Sequence, residues 1–287
     1  MLFRSKSVIA LDVEAEYEEL TKALDGCYLD FMSGKYLINL LEPKAWSDGS
    51  EDEDDESCPE AFRKSTRLSQ HIAFLKDFFR TYKDFSDSHI DAIEIMVSRL
   101  YARYGIDDNT DFDKLRPTDY PILSDLYDLI EAEYKGYEHG QKSLFTEELL
   151  REICLGLYSM CKGAEARFFN GYTNISDDQF IVFGLKGLME TNKKLKDAML
   201  FNLLSFMSNQ LLSVGNTVAA IDELYMYLTT TKNANGVANN TAIEYIRNCM
   251  KRVRKKDSAI LIASQNINDF LMPDVCELTK PLFAIPT

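Results

Sequence analysis

The sequence predicts an α/β protein with a mostly parallel sheet and helices on its faces, because three short apolar runs each end in polar side chains. These runs occupy residues 8–12, 217–223 and 259–265, and their polar ends are Asp12, then Asp222 with Glu223, then Ser264 with Gln265. Continuous apolar runs are typical of strands that are buried on both faces of a parallel sheet. Because open α/β folds bind their ligands at the carboxyl ends of such strands, we expect a polar crevice along one edge of the sheet.

The two adjacent carboxylates at 222 and 223 are the most informative of these strand ends. In ATP-hydrolysing proteins the first acid of such a pair helps to hold Mg²⁺, and the second orients the attacking water. Asp222, at the last buried position, suits a metal-bound water, whereas Glu223, one step further out, suits the attacking water. Strands often stop at a charged residue, so a pair of solvent-facing acids is the alternative interpretation.

Further strands and helices are predicted along the chain from the spacing of apolar residues. A helical pattern over 14–24 and a short strand near 27–31 follow the first run. Near the other end we expect a strand over 180–185, a helix over 193–213 and a last strand over 281–285. The alternation of strands and helices supports the α/β class.

A long helical block lies between these parts, with apolar residues at three- and four-residue steps. It comprises predicted helices over 68–82, 90–104, 121–134 and 149–160. Ser88 and Thr146 are expected to cap two of them, and Gly105 to end one. We therefore predict four parts in the chain. The first part of the α/β domain covers 1–45, and an acidic flexible loop covers 46–66. An all-helical insertion covers 67–165, and the second part of the α/β domain covers 166–287 and is truncated at its C-terminal end.

Composition points to a reduced, globular protein. The chain has 287 residues, 46% of them apolar, and a net charge of −14. Its six cysteines are widely scattered without a C-x-x-C pair, which favours reduced cytosolic thiols over a disulfide framework or a zinc site. No apolar run approaches the roughly 20 residues that span a bilayer, so we expect no transmembrane segment. The first residues lead straight into a strand, so we expect no signal peptide.

Charge is unevenly distributed. Residues 48–56 hold seven acids, which favours a solvated loop over a contact with a basic partner. Residues 247–256 hold six bases, including Arg252 and Arg254. Cations stabilise a helix C-terminus, which explains part of this cluster. Six bases exceed that need, so the cluster also indicates a role with phosphate or nucleic acid.

Six segments together resemble a known family. They are LDVEAEY at 11–17, FFNGYTN at 168–174, AIDEL at 220–224, YIRNCMKRVRKKDS at 245–258, ASQN at 263–266 and TKPLF at 279–283. Over nearly the whole chain the sequence is similar to the conjugative-transfer ATPases of type IV secretion, the VirB-type or TraE-type motors. This resemblance implies a RecA-like motor domain with an inserted helical subdomain. It also implies that ATP hydrolysis drives DNA or protein transfer.

The resemblance also implies cofactors and residue roles. ATP and Mg²⁺ would be bound, with Asp222 on the metal side and Glu223 as the catalytic base. Ser264 and Gln265 would sense the γ-phosphate or the water, Asp12 and Glu14 would lie in the cofactor site, and Arg252 or Arg254 would reach a neighbouring subunit's nucleotide. The partners would be other secretion components and further copies of the chain, with DNA contacted by the basic cluster. The location would be the cytoplasm, at the inner face of the cell membrane.

Departures from the family pattern leave two functions open. The run G-x-x-x-x-G-K-[ST], which cradles the phosphates in such motors, occurs nowhere in the chain, and Val13 stands where the family usually has proline. We therefore expect a motor domain trimmed at both ends that binds little or no nucleotide by itself. The first function is a piece of a secretion ATPase. The second is a nucleotide-free remnant or scaffold subunit that keeps the fold and binds secretion partners.

Overall fold

The computed structural model describes residues 6–44, 66–137, 143–223, 231–232, 238–239 and 253–264. Within them, the first strands are β1 (Ser7–Asp12), β2 (Cys27–Asp30), β3 (Phe180–Gly184) and β4 (Thr217–Ile221). They are followed by β5 (Thr231–Lys232), β6 (Ala238–Asn239) and β7 (Ala259–Ile262). Five of these strands form one sheet in the order β2-β3-β1-β4-β7, whereas β5 and β6 pair with each other. The predicted α/β class is confirmed.

Strand β1 lies at the centre of the sheet, where it pairs in parallel with β3 on one side and β4 on the other. Strand β4 pairs in parallel with β7 in turn. The last four residues of β1 are buried, as the continuous apolar run predicted. Because the three pairs are parallel, the carboxyl ends of these strands meet along one edge of the sheet.

The helices of the described residues are mostly in the middle of the chain. They are α1 (Glu18–Ala23), α2 (Arg67–Tyr82), α3 (Asp87–Arg103), α4 (Leu123–Gly136), α5 (Glu147–Cys161), α6 (Ala166–Phe169), α7 (Lys186–Met189) and α8 (Lys193–Asn209). Short 3₁₀ turns occupy Phe112–Lys114, Pro117–Asp119 and Val253–Lys256. None of the helices that the structure describes combines the length and apolarity needed to cross a bilayer.

Two compact units divide the chain. One contains the sheet and consists of Met1–Leu29, Asp177–Met189 and Met207–Thr287, whereas the other is helical and consists of Asp30–Ser176 and Glu190–Phe206. The helical unit thus includes residues 30–45, which the sequence pattern had grouped with the α/β domain. The predicted acidic loop over 46–66 lies outside the described residues except for Thr66, and the predicted strand over 281–285 lies wholly outside them.

Several helix boundaries differ from the sequence-based predictions. Helix α3 begins after Ser86 rather than Ser88, whereas Thr146 caps α5 as predicted, since its side chain accepts a hydrogen bond from the backbone of Leu149. Helix α8 continues as a π-helix over Gln210–Val214 before Gly215, whose φ of 73° ends it. Such a conformation costs glycine little, which explains the stop.

An irregular buried segment, residues 38–44, runs through the helical unit. A segment without regular structure must find other partners for its backbone groups when water is excluded. Side chains supply them here: Asn202, His71, Tyr101 and Arg67 donate to the carbonyl oxygens of Ile38, Leu40, Leu41 and Pro43. The Lys44 ammonium, itself buried, donates to the carbonyl oxygens of Asn39 and Glu42. Polar side chains therefore hold this part of the core together.

His71 has a fixed protonation state in this network. Its Nδ1 accepts from the backbone N–H of Lys44 at 3.3 Å, so its Nε2 carries the hydrogen that is donated to Leu40 at 3.0 Å. Burial, and then the neighbouring Lys44 charge, hold the pKa of His71 well below its usual value of 6.5. A proton on Nδ1 would remove one hydrogen bond and bury an unpaired charge.

We predict that stability falls as the pH drops below about 6.5 because of His71. The unfolded chain takes up the proton in this range and the folded chain does not, so one group contributes a slope of at most about 1.4 kcal/mol per pH unit. Urea unfolding of the parent and of His71→Gln, between pH 7.5 and pH 5.5, measures this slope. Equal slopes in the parent and His71→Gln would show the explanation to be wrong.

Candidate functional site

The carboxyl ends of β1, β3 and β4 bring the predicted acids together at one edge of the sheet. Asp12 is aligned with Gly184 of β3, and Leu11 is aligned with Ile221 of β4. Asp222, the next residue after β4, therefore lies beside the end of β1. The sequence predicted this edge, and the parallel register provides it.

The carboxylate of Asp12 is almost fully buried, with 1% of the residue exposed. Its Oδ1 accepts from the backbone N–H of Glu16 at 3.1 Å, and its Oδ2 accepts from the backbone N–H of Tyr17 at 3.0 Å. The Tyr28 hydroxyl also donates to Oδ2, at 3.2 Å. A buried charge requires such partners. Asp12 therefore anchors the loop that follows β1.

The anchored loop, residues 13–17, explains why α1 starts later than the apolar pattern predicted. Val13 is buried, Glu14 is exposed, and Ala15 adopts a left-handed backbone with φ of 63°. Backbone N–H groups in this loop turn back onto Asp12 instead of entering a helix, so α1 begins only at Glu18. The left-handed conformation costs an L-residue about 1–2 kcal/mol, and the bonds to Asp12 offset it.

Tyr17 joins the two acids. Its backbone contacts Asp12, and its hydroxyl donates to Oδ2 of Asp222 at 2.9 Å. Burial, together with the hydrogen bond to Asp222 and the negative charges nearby, raises the pKa of Tyr17 to about 12. The phenol is therefore protonated at neutral pH and acts as the donor in this bond. Sequence reasoning missed this residue, although it ends the LDVEAEY segment.

Tyr28, on β2, is the second residue that sequence reasoning missed. Its ring lies over Gly184, where a Cβ atom would collide with the Tyr28 hydroxyl. The glycine thus leaves the space through which the phenol reaches Asp12. An apolar strand gives no signal of this packing, because the glycine is informative only once β2 and β3 are known to be neighbours.

Asp222 and Glu223 have the reverse of the burial that the sequence predicted. Asp222 is half-buried, and its Oδ1 accepts from the backbone N–H of Glu223 at 2.9 Å. Glu223 is only 5% exposed and has a φ of 50°. This left-handed turn ends the extended backbone immediately after Asp222. Strand alternation therefore does not apply to Glu223, which is the more buried of the two acids.

The other predicted site residues are partly described. Ser264 is half-buried and follows Ala263, whose N–H extends the pairing of β7 with Ile221 of β4. Gln265 and Arg252 lie outside the described residues, as does the side chain of Arg254. Among the described residues, no group of three or more histidine, cysteine, aspartate or glutamate side chains is arranged to hold a metal ion.

The backbone of Arg254 lies at the opposite edge of the sheet from the acids. It belongs to the turn Val253–Lys256, and the carbonyl oxygen of Lys256 accepts from the N–H of Asn216, immediately before β4. Five residue steps along a strand, about 16 Å, separate that end of β4 from Asp222. The structure does not bring the backbone of Arg254 to the acids of its own chain.

The parallel order of strands, with acidic residues at their carboxyl ends, is that of a RecA-like α/β fold. This is the class that the sequence predicted. The fold therefore identifies RecA-like α/β domains as the class of protein to compare.

Comparison with solved structures finds VirB4 of Thermoanaerobacter pseudethanolicus, with a TM-score of 0.73 and 27% sequence identity. The match covers 95% of this chain and 65% of the VirB4 chain. The resemblance to the VirB-type ATPases of type IV secretion is thereby confirmed, and the chain spans 65% of the length of the structure it matches. No protein-family model matches the sequence, and no curated protein matches it either.

We predict that Asp12→Ala lowers the free energy of unfolding by about 2–4 kcal/mol. The substitution removes the buried carboxylate that accepts hydrogen bonds from the backbone N–H groups of Glu16 and Tyr17 and from the Tyr28 hydroxyl. Urea unfolding of the variant and of Glu14→Ala, two residues further along and exposed, measures the difference. The control should change stability by about 0.5 kcal/mol or less. Similar values for both variants would show that Asp12 does not anchor the loop.

Proposed function

We propose that this chain is part of the motor ATPase of a type IV secretion system, in which ATP hydrolysis drives the transfer of DNA or protein. The carrying observation is the set of acids at one sheet edge, where Tyr17 connects Asp12 to Asp222. The likeness to VirB4 over 95% of the chain supports the same proposal. A solvent-facing acid pair would not need this connection.

Asp222 is the residue that would hold Mg²⁺. Its half-buried carboxylate provides the hard oxygen donors that this ion prefers. Each oxygen accepts one hydrogen bond, from Tyr17 or from Glu223, and a carboxylate oxygen has a second lone pair available in addition. One carboxylate from the protein fits the ion, because Mg²⁺ is usually bound by one or two carboxylates together with waters and substrate phosphates. When bound, Mg²⁺ would neutralise charge that develops on the phosphates.

Glu223 would act as the general base that orients the attacking water. Its buried position limits competition from bulk water, and its left-handed backbone directs the chain away from the strand axis. A base needs a fixed position relative to the reacting oxygen. The hydrogen bond from its own N–H to Asp222 couples that position to the metal-side acid.

The remaining residues have supporting roles in this proposal. Glu14 is exposed on the loop after β1, where it could contact a ligand directly, whereas Asp12 would act by holding that loop in place. Ser264 and Gln265 would sense the γ-phosphate from the end of β7. Because the backbone of Arg254 lies at the other sheet edge, a role for Arg252 or Arg254 would be toward a nucleotide on a neighbouring subunit.

The proposed partners follow from the same family. They are other components of the secretion apparatus and further copies of the chain, with DNA contacted through residues 247–256, at the inner face of the cell membrane. Six bases in ten residues of a chain with net charge −14 support an anionic partner at that cluster.

We predict that substitutions of the two adjacent acids affect different steps, one the hydrolysis of ATP and the other its Mg²⁺-dependent binding. In a chain with a phosphate-binding loop segment joined in frame ahead of Met1, Glu223→Gln should keep ATP affinity and reduce hydrolysis by about 10²-fold or more, because the base is lost. Asp222→Asn should instead weaken Mg²⁺-dependent binding of ATP. Calorimetry and phosphate release measure these two effects.

The same experiment decides between the two functions. Hydrolysis by Glu223→Gln at the parent's rate would contradict the assignment of the base. A parent chain that folds with the added loop and still neither binds nor hydrolyses ATP would favour the scaffold function, in which the fold is kept for binding partners.

A further inference from the structure

We propose that Tyr17 is a positioning residue for the cation site, because its hydroxyl fixes the orientation of the Asp222 carboxylate. This inference rests on the proposed function of Asp222 as the acid that holds a divalent cation. It adds a residue that the acid pair alone does not indicate.

The Asp222 carboxylate is restrained at both of its oxygens. Oδ2 accepts from the Tyr17 hydroxyl, and Oδ1 accepts from the backbone N–H of Glu223, each at 2.9 Å. The bond from Glu223 comes from the adjacent residue and moves with the end of the strand. The bond from Tyr17 comes from 205 residues away in the sequence, so it ties the carboxylate to the loop between β1 and α1. Loss of the phenol would leave the carboxylate with the bond from the adjacent Glu223 and without the restraint from the loop after β1.

Tyr17 is itself held in place from both sides of its backbone. Its N–H donates to Asp12 at 3.0 Å. Its carbonyl oxygen accepts from the N–H of Thr21 at 2.8 Å and from the Thr21 hydroxyl at 2.6 Å. Thr21 is fully buried in α1, with 0% exposure. Both the buried acid at the end of β1 and the first turn of α1 therefore fix the position from which the phenol reaches Asp222.

A hydroxyl donor has a chemical consequence that a lysine or arginine would not have. The phenol orients the carboxylate without neutralising it, so Asp222 keeps its full negative charge for a cation. Partners that orient a metal-binding carboxylate in this way typically change metal affinity by about 10–100-fold when they are removed. Tyr17 can therefore orient the Asp222 carboxylate without bringing a positive charge that would compete with the bound cation.

Tyr28 provides a matched control within the same network. Its hydroxyl donates to Oδ2 of Asp12 at 3.2 Å, so it contacts the neighbouring acid. Tyr17→Phe and Tyr28→Phe each remove one phenol oxygen and one hydrogen bond to a carboxylate. Among the described contacts, the first change removes a bond to Asp222 and the second removes a bond to Asp12.

The test uses Mn²⁺ alone as the probe, without nucleotide, and the 287-residue chain. Electron paramagnetic resonance measures free Mn²⁺, and titration of the parent, Tyr17→Phe, Tyr28→Phe and Asp222→Asn gives the affinity of each. We expect Tyr17→Phe to weaken Mn²⁺ binding by about 10-fold and Tyr28→Phe by about twofold at most, with Asp222→Asn losing the site. Urea unfolding of the same proteins tests whether a tyrosine is purely structural. Replacing such a tyrosine would lower the free energy of unfolding and leave Mn²⁺ affinity unchanged.

The outcomes separate this proposal from the proposed function. Equal Mn²⁺ affinity in Tyr17→Phe and the parent, with binding lost in Asp222→Asn, would overturn the role of Tyr17 alone. Binding that survives Asp222→Asn, or no binding to the parent, would overturn the metal assignment of Asp222 and with it the role of Tyr17. Equal weakening by Tyr17→Phe and Tyr28→Phe would also overturn the proposal, since it would show a general effect of the network.

Discussion

The carboxylate of Asp12 lies at the end of the central strand, out of contact with water, and it must be matched by hydrogen-bond donors. Two of its donors are backbone N–H groups of the following loop, so the chain has to turn there before α1 can begin. That turn places Tyr17 beside β4, where its hydroxyl reaches Asp222. The need of the buried Asp12 carboxylate for hydrogen-bond donors thus determines the course of the loop after β1 and the start of α1. It also determines the contact that Tyr17 makes between the ends of β1 and β4.

Two residues at this edge of the sheet adopt a backbone conformation that costs energy. Ala15 and Glu223 have φ values of 63° and 50°, and neither is glycine. Non-glycine residues in the left-handed region each cost about 1–3 kcal/mol, and they persist where the surroundings fix them. Both lie next to hydrogen bonds that involve an acid of the site. Asp25, Asn216 and Asp257 adopt the same region of backbone conformation, so this strain is not confined to the carboxyl edge of the sheet and does not by itself mark a site.

Sequence periodicity predicted the regular elements well and the site only in part. The apolar runs at 8–12 and 217–221 correctly indicated parallel strands, because burial on both faces requires continuous apolar side chains. The same reasoning placed Glu223 further out than Asp222, since it could not include a left-handed residue directly after the strand. Tyr17 and Tyr28 were missed because their contacts join residues that only the tertiary fold brings together. The periodicity of apolar residues within one segment does not show which side chains from a distant segment contact it.

The central claim is that this sheet edge binds a divalent cation through Asp222. Anomalous X-ray diffraction from crystals of the chain soaked with Mn²⁺ tests it most directly, because it locates the ion itself. We predict an anomalous peak bound to the Asp222 carboxylate, directly or through one water, with the Tyr17 hydroxyl still donating to Oδ2. A Mn²⁺ peak elsewhere in the chain, with none at Asp222, would contradict it.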